Sequence, residues 1–291
     1  MARQPVQPAR TRRGHLRRTF DARVDQEWNR YAGEARRLLQ RTLRERFLRR
    51  HVDATRETLL ELGPGPGRFT PLLRQLVRGR VLALDLSRES LVAGRRRARR
   101  GAGPAQLDFL QGAGEHLPLP SRSVDAVVAL GNIVSFAARD GPALLTELHR
   151  VLRRKGILVL DFPSPAASIQ EFLHLAARGR FLSKVLRRPD YYYFGRVLDS
   201  GYQPYAPARL ARWEFQFYTV ADATRELSRA GFRAVDAMSV APLAAHQDRI
   251  ATIARRERKT WETLLTLEEQ VGRRRGMQES GHGFVVAAVR R

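Results

Sequence analysis

Short apolar runs punctuate the middle of the chain at Thr58–Leu62, Arg80–Leu84, Gln106–Leu110, Val124–Leu130 and Ile157–Phe162. Helical spacing separates most of them, as with Leu144, Leu145, Leu148, Val151 and Leu152. Strands that alternate with helices predict an α/β fold with a parallel sheet covered on both faces. Lys155-Gly156, a cation followed by glycine, is expected to close the helix before the fifth strand. Upstream, Phe20, Val24, Trp28 and Tyr31 form one amphipathic stripe, and Leu38, Leu39, Leu43 and Phe47 mark a second helix. Residues 1–19 hold Pro, Gln and Arg with few apolar anchors and are expected to form a disordered basic tail. After Pro163 the alternation lapses over residues 164–211, a stretch with Tyr191, Tyr192, Tyr193, Tyr202 and Tyr205. It returns with a capping-box-like start at Thr219-Val-Ala-Asp222 and a strand at Phe232–Val240. A long polar helix over residues 246–273 and a last strand at Gly283–Val289 complete the pattern.

Composition narrows the classes. With 291 residues, 43% of them hydrophobic and 8% aromatic, the chain can bury a real core. There is no cysteine, which excludes disulfides, thiolate metal sites and cysteine nucleophiles, and no metal site is expected. No apolar run reaches the roughly 18 residues needed to span a bilayer, and the first twenty residues lack the apolar stretch of a secretory signal. A cytoplasmic protein without a membrane partner is expected. The net charge of +24 invites a nucleic-acid partner, but the basic residues are 50 Arg and 3 Lys spread along the whole chain. A coding bias towards Arg explains that ratio more simply than phosphate contact, for which Lys also serves.

The most informative segment is Leu59-Leu60-Glu61-Leu62-Gly63-Pro64-Gly65-Pro66-Gly67-Arg68. An apolar strand runs into three glycines at alternate positions, with a helix expected next and Pro66 in its first turn. Glycines there let the backbone turn sharply and approach a ligand closely. Arg68 and Thr70 stand where a dinucleotide fingerprint needs glycine or alanine, so a pyrophosphate ligand is disfavoured. Asp85 ends the second strand, at Val81-Leu82-Ala83-Leu84-Asp85. A carboxylate at that tip can accept both hydrogen bonds of a ribose diol. The plainer alternative is that Asp85 caps the next helix with Ser87.

These motifs resemble those of class I S-adenosylmethionine-dependent methyltransferases. Glu61-Leu-Gly-Pro-Gly-Pro-Gly67 is similar to the family's glycine signature, and Asp85 holds the position of its ribose acid. Gln111-Gly112-Ala113-Gly114-Glu115-His116-Leu117-Pro118 resembles the loop that frames the adenine, and Leu130-Gly131-Asn132-Ile133-Val134-Ser135-Phe136 the fourth strand's end. Ser123–Val128 and Glu147–Gly156 resemble the approach to the fourth strand and the helix after it. The resemblance implies a Rossmann-like, doubly wound, seven-stranded sheet, mostly parallel with its last strand antiparallel. It implies an N-terminal helical cover (20–56), a cofactor-binding half (57–163), an insertion after strand five (164–211) and a C-terminal half (212–291). It implies S-adenosylmethionine as cofactor, held by Glu61, Gly63, Gly65, Gly67, Asp85, Leu86, Gly112, Ala113, Glu115, Leu130, Gly131 and Asn132. Where the family often has an acid for the adenine amino group, this chain has Ala113, and Glu115 is the available substitute.

The implied reaction is methyl transfer to a small molecule, the acceptor being N, O or C. An RNA methyltransferase of the same fold, and a cofactor-binding protein without catalysis, are the alternatives. No Asn/Asp-Pro-Pro-Tyr/Phe segment follows the fourth strand, which argues against adenine-N6 and glutamine-N5 methylation. The tyrosine-rich insertion is expected to pack the acceptor or to serve as structural glue. Tyr31, with Glu27, is expected at the pocket, and His246 is the candidate base among the histidines. The Asp85 carboxylate is expected to have few protein partners before cofactor binds.

Overall fold

The computed structural model describes residues 9–98, 103–204, 213–245 and 247–291. Seven strands form the central sheet: β1 Thr58–Leu62, β2 Arg80–Asp85, β3 Gln106–Gln111, β4 Val124–Ala129, β5 Leu152–Phe162, β6 Phe232–Ser239 and β7 Phe284–Arg290. Their spatial order is 3-2-1-4-5-7-6. The first five pair in parallel, and β7 runs antiparallel between β5 and β6. Leu59, Leu60, Val81, Leu84, Val127 and Val159 are all fully buried. Their runs are continuous rather than alternating because both faces of a parallel sheet are covered. One face carries α3 (Ala35–His51), α4 (Thr70–Leu76), α12 (Asp248–Ala254) and α13 (Arg258–Gly272). The other carries α7 (Gly141–Val151) and α11 (Val220–Arg229). The strand order reverses between β1 and β4, and such a switch point opens a crevice at the strands' carboxyl ends.

Several local expectations are corrected. The tail expected through residue 19 is helical from Ala9: α1 spans Ala9–Asp21, while residues 1–8 lie outside the described part. It has few residues to bury in the core, yet its contacts anchor it across the crevice. Phe20 meets Phe136 edge-on at 5.3 Å, and Arg12 reaches Asp140 at 2.5 Å. The stripe from Phe20 to Tyr31 is therefore broken, with Val24 and Trp28 on a separate α2 (Val24–Asn29) and Tyr31 beyond it. The helix before β5 stops at Val151, so Lys155-Gly156 lies inside the strand. Lys155 has φ 60, and a Cβ on Gly156 would stand 2.8 Å from the Arg153 carbonyl oxygen. The β4–β5 register shifts at the same place, so this glycine marks a bulge and not a helix stop. The long helix expected over 246–273 is two, α12 and α13, broken at residues 255–257. The Thr219 cap forms as read, its hydroxyl accepting from the Asp222 N–H at 3.0 Å.

Candidate active site

A cavity of about 180 Å³ opens at the carboxyl ends of β1, β2 and β4. The turn after β1 shapes its floor. Gly63, Gly65 and Gly67 all have positive φ (68, 54 and 86°), a region that costs other residues steric strain. Their roles differ. A Cβ on Gly63 would fall 2.2 Å from Ile133 Cδ1, so that glycine admits a neighbouring side chain. Gly65 lines the cavity, and a Cβ there would meet no atom of the described residues within 4 Å. Gly67 does not line it and packs instead against Gly94. Helix α4 begins only at Thr70 with Pro71 in its first turn, so Pro66 belongs to the turn and not to the helix.

Asp85 closes β2 beside this turn. Contrary to expectation, its carboxylate is already engaged: Oδ2 accepts from the Gly65 N–H and Oδ1 from the Ser87 N–H, each at 2.8 Å. The cap and the cavity wall are one residue, because each carboxylate oxygen has lone pairs left for a diol. Burial pushes the Asp85 pKa up to about 6, with the Ser87 and Gly65 N–H groups opposing and Asp21 reinforcing the shift. Glu61 is buried below the turn and accepts from the Thr70 hydroxyl at 2.6 Å. Burial pushes its pKa up to about 7.

Leu86, Gly112, Ala113 and Glu115 line the cavity, the last three in a tight turn closed by the His116 N–H on the Ala113 carbonyl at 3.2 Å. Leu130 and Gly131 line it at the end of β4, and a Cβ on Gly131 (φ 101) would also meet open space. Asn132 does not line it; its left-handed backbone (φ 64) starts α6, Ile133–Ala137. This second turn is held from beneath. Asp161, near the end of β5, accepts from the Gly131 and Asn132 N–H groups at 2.8 and 2.7 Å and pairs with buried Arg44 at 3.2 Å. Asp161 escaped the sequence reading, although an acid closing the apolar run Leu158-Val159-Leu160 is the same signal that identified Asp85.

The aromatic end of the cavity lies under α1. Leu16, Phe20 and Phe136 line it, and Phe136 also packs on Phe215 at 4.8 Å and Trp213 at 5.6 Å. Arg13 lines it too, a residue the sequence reading left in a solvated tail. Tyr31 and Glu27 are at the wall, Tyr31 against Phe69 at 6.2 Å and Glu27 paired with Arg30 at 2.7 Å. Of the insertion's tyrosines, Tyr192, Tyr193 and Tyr202 are absent from the lining. Tyr192 packs with Phe172 and Phe194 within the insertion, and the Tyr202 hydroxyl donates to Glu214 at 2.9 Å, just beyond it, so both make structural contacts. The Tyr191 side chain, Tyr205 and His246 lie outside the described residues.

S-adenosylmethionine fits this set of groups. Gly65 and Gly131 leave bare backbone where any side chain would stand in the cavity. Asp85 offers acceptors for a ribose diol, and the Gly112–Glu115 turn offers backbone and a carboxylate for the adenine edge.

Comparison with known proteins agrees. Residues 60–160 match the family model described as a methyltransferase domain. The chain is 31% identical over 141 residues to a ubiquinone/menaquinone biosynthesis C-methyltransferase, UbiE, of Rubrivivax gelatinosus, covering 47% of this chain and 52% of the relative. It is 35% identical over 151 residues to a malonyl-[acyl-carrier protein] O-methyltransferase of Serratia marcescens, covering 51% of this chain and 55% of the relative. The match thus spans about half the length of these relatives. In fold, the chain is similar to an S-adenosylmethionine-dependent methyltransferase of Mesorhizobium loti, with TM-score 0.53, 17% identity and coverage of 85% and 95% of the two chains. A Methanosarcina mazei S-adenosylmethionine-dependent methyltransferase gives TM-score 0.54 at 14% identity, covering 84% and 96%. With the glycine turn, the strand-tip acid and the 3-2-1-4-5-7-6 sheet in one molecule, residues 60–160 are those of a methyltransferase domain of the class I S-adenosylmethionine-dependent type.

Proposed function

We propose that the protein transfers a methyl group from S-adenosylmethionine to a small-molecule acceptor. One observation carries this reading: a single cavity joins the nucleoside-type wall of Gly65, Asp85 and the Gly112–Glu115 turn to an aromatic end closed by Phe20 and Phe136. When bound, the cofactor supplies a methyl group already activated on a sulfonium. The chain's own task is to align an acceptor and exclude water, and alignment alone can account for several kcal/mol of barrier reduction, on the order of 7–11 kcal/mol in the best cases. Helix α1 and α6 roof the aromatic end, while Asp161 and Arg44 hold the Gly131–Asn132 turn beneath it. Tyr31 is the candidate to orient the acceptor or take its proton. A cytoplasmic setting belongs to the same proposal, on the strength of a cysteine-free chain. Among the described residues, no helix is long and apolar enough to cross a membrane.

The test is incubation of the protein with methyl-labelled cofactor and a cell extract. Label in small metabolites is the expected result. Label in RNA, with binding that weakens steeply as salt rises, would overturn the small-molecule reading. Failure to bind S-adenosylhomocysteine in a calorimetric titration would overturn the reading altogether.

A further inference from the structure

We propose that the acceptor is a carboxylic acid, its anionic group gripped by Arg13 and its apolar body packed against the touching rings of Phe20 and Phe136. This rests on the methyl-transfer reading above. Arg30 is neutralised by Glu27 at 2.7 Å. Arg12, on the same helix as Arg13, is paired with Asp140 at 2.5 Å and Glu214 at 3.4 Å. Arg13 lines the cavity, half-buried, and forms no hydrogen bond or ion pair with any described residue. Arg68 lines it too, stacked 3.9 Å from the Trp28 ring centre, with its Nε buried and without a hydrogen-bond partner among the described residues.

Arg13 therefore awaits an anion, while Arg68 already feels the Glu45 carboxylate; the cofactor brings one carboxylate more. Arg68 is the cation delivered by the glycine turn, three residues after Gly65, and is assigned to that carboxylate. Arg13 is placed elsewhere. The Arg12 contacts pin its end of α1 above Asp140 and Glu214, beside the Phe136–Trp213–Phe215 cluster. There the surrounding walls are Leu16, Phe20, Phe136 and Ala137. One guanidinium matches a carboxylate in bidentate fashion, and its single charge is balanced by a monoanion. Charge and apolar wall together describe an acid on a hydrophobic body.

The test uses the full chain preloaded with S-adenosylhomocysteine and titrated calorimetrically with benzoate and with benzyl alcohol. Benzoate is expected to bind about tenfold or more tightly than the alcohol, the worth of one charge-assisted contact. Arg13→Ala and Arg13→Gln should remove that preference and leave the affinity for S-adenosylhomocysteine within about twofold, while Arg13→Lys keeps part of it. Thermal melts confirm that the variants are folded, and the Gln and Lys forms preserve the test if Ala unfolds. Equal binding of the two compounds by the wild type would overturn the proposal. So would loss of S-adenosylhomocysteine affinity in the Arg13 variants, which would make Arg13 a cofactor ligand. Wild-type protein that binds no S-adenosylhomocysteine would instead refute the methyl-transfer reading, whatever benzoate does.

Discussion

Replacing Asp85 by Ala removes one carboxylate with two duties. In the protein it accepts the Gly65 and Ser87 N–H groups at 2.8 Å each, so it ties the glycine turn to the tip of β2. Charge-assisted bonds of this kind contribute about 1.5–3 kcal/mol each. Against them stands the cost of burying the charge, visible in a pKa raised to about 6. With water replacing part of the lost contacts, the cofactor-free protein should lose about 1–2 kcal/mol of stability. Affinity for S-adenosylhomocysteine should fall further, by about 2–4 kcal/mol or roughly 30- to 1,000-fold, because the diol loses its acceptor and the turn its tether. Calorimetric titration beside thermal melts of the free variants reads both numbers. The pH profile adds a signed check. A diol donor needs the ionised carboxylate, so wild-type affinity should decline as pH falls through about 6, by up to about tenfold per pH unit. In Asp85→Ala that part of the decline should vanish. An unchanged dissociation constant in the variant would refute the ribose role and with it the assignment of this wall of the cavity.

Glu268, fully buried on α13, accepts the Leu243 N–H at 2.9 Å while its Oε1 has no hydrogen-bond partner among the described residues, and burial pushes its pKa up to about 7. A raised carboxylate pKa means stability present at low pH and lost as pH rises from the unfolded value through 7, so the stability of Glu268→Gln relative to wild type should climb by about 2–3 kcal/mol between pH 5 and 8 in urea titrations; a pH-independent difference would contradict this. Arg44→Leu leaves Asp161 a buried, uncompensated charge and should cost about 3–5 kcal/mol. Asp161→Asn should cost less stability but weaken S-adenosylhomocysteine binding, since it loosens the Gly131–Asn132 turn; unchanged affinity would show that the turn needs no support. Deleting residues 1–21 should move the melting temperature little, because the buried core begins at Ala35, yet should speed ligand release in stopped-flow measurements by uncovering the cavity. A large fall in melting temperature would place α1 in the core.

The sheet was legible in the chain because its strands are buried on both faces and so read as uninterrupted apolar runs. The glycine turn was legible for a local reason: only glycine takes three positive φ angles in five residues at low cost, and an acid at a neighbouring strand tip shares its crevice by the rules of parallel sheets. Long-range partnership was not legible. Residues 9–19 look like a solvated tail, and they become a helix through Arg12 on Asp140 and, one residue beyond, Phe20 on Phe136, partners more than 110 residues away. Lys155-Gly156 reads as a helix stop by local rules, yet strand pairing captured the chain first and turned the glycine into a bulge. Asp161 and Arg44 lie far apart in sequence, and only the folded sheet sets them together under the second turn. Periodicity and backbone permissiveness are local properties, so the sequence alone determined the architecture and the glycine turn with its strand-tip acid. Ion pairs and ring contacts across the crevice depend on the completed fold, and they decided which side chains close over the cavity and which charges inside it remain unanswered.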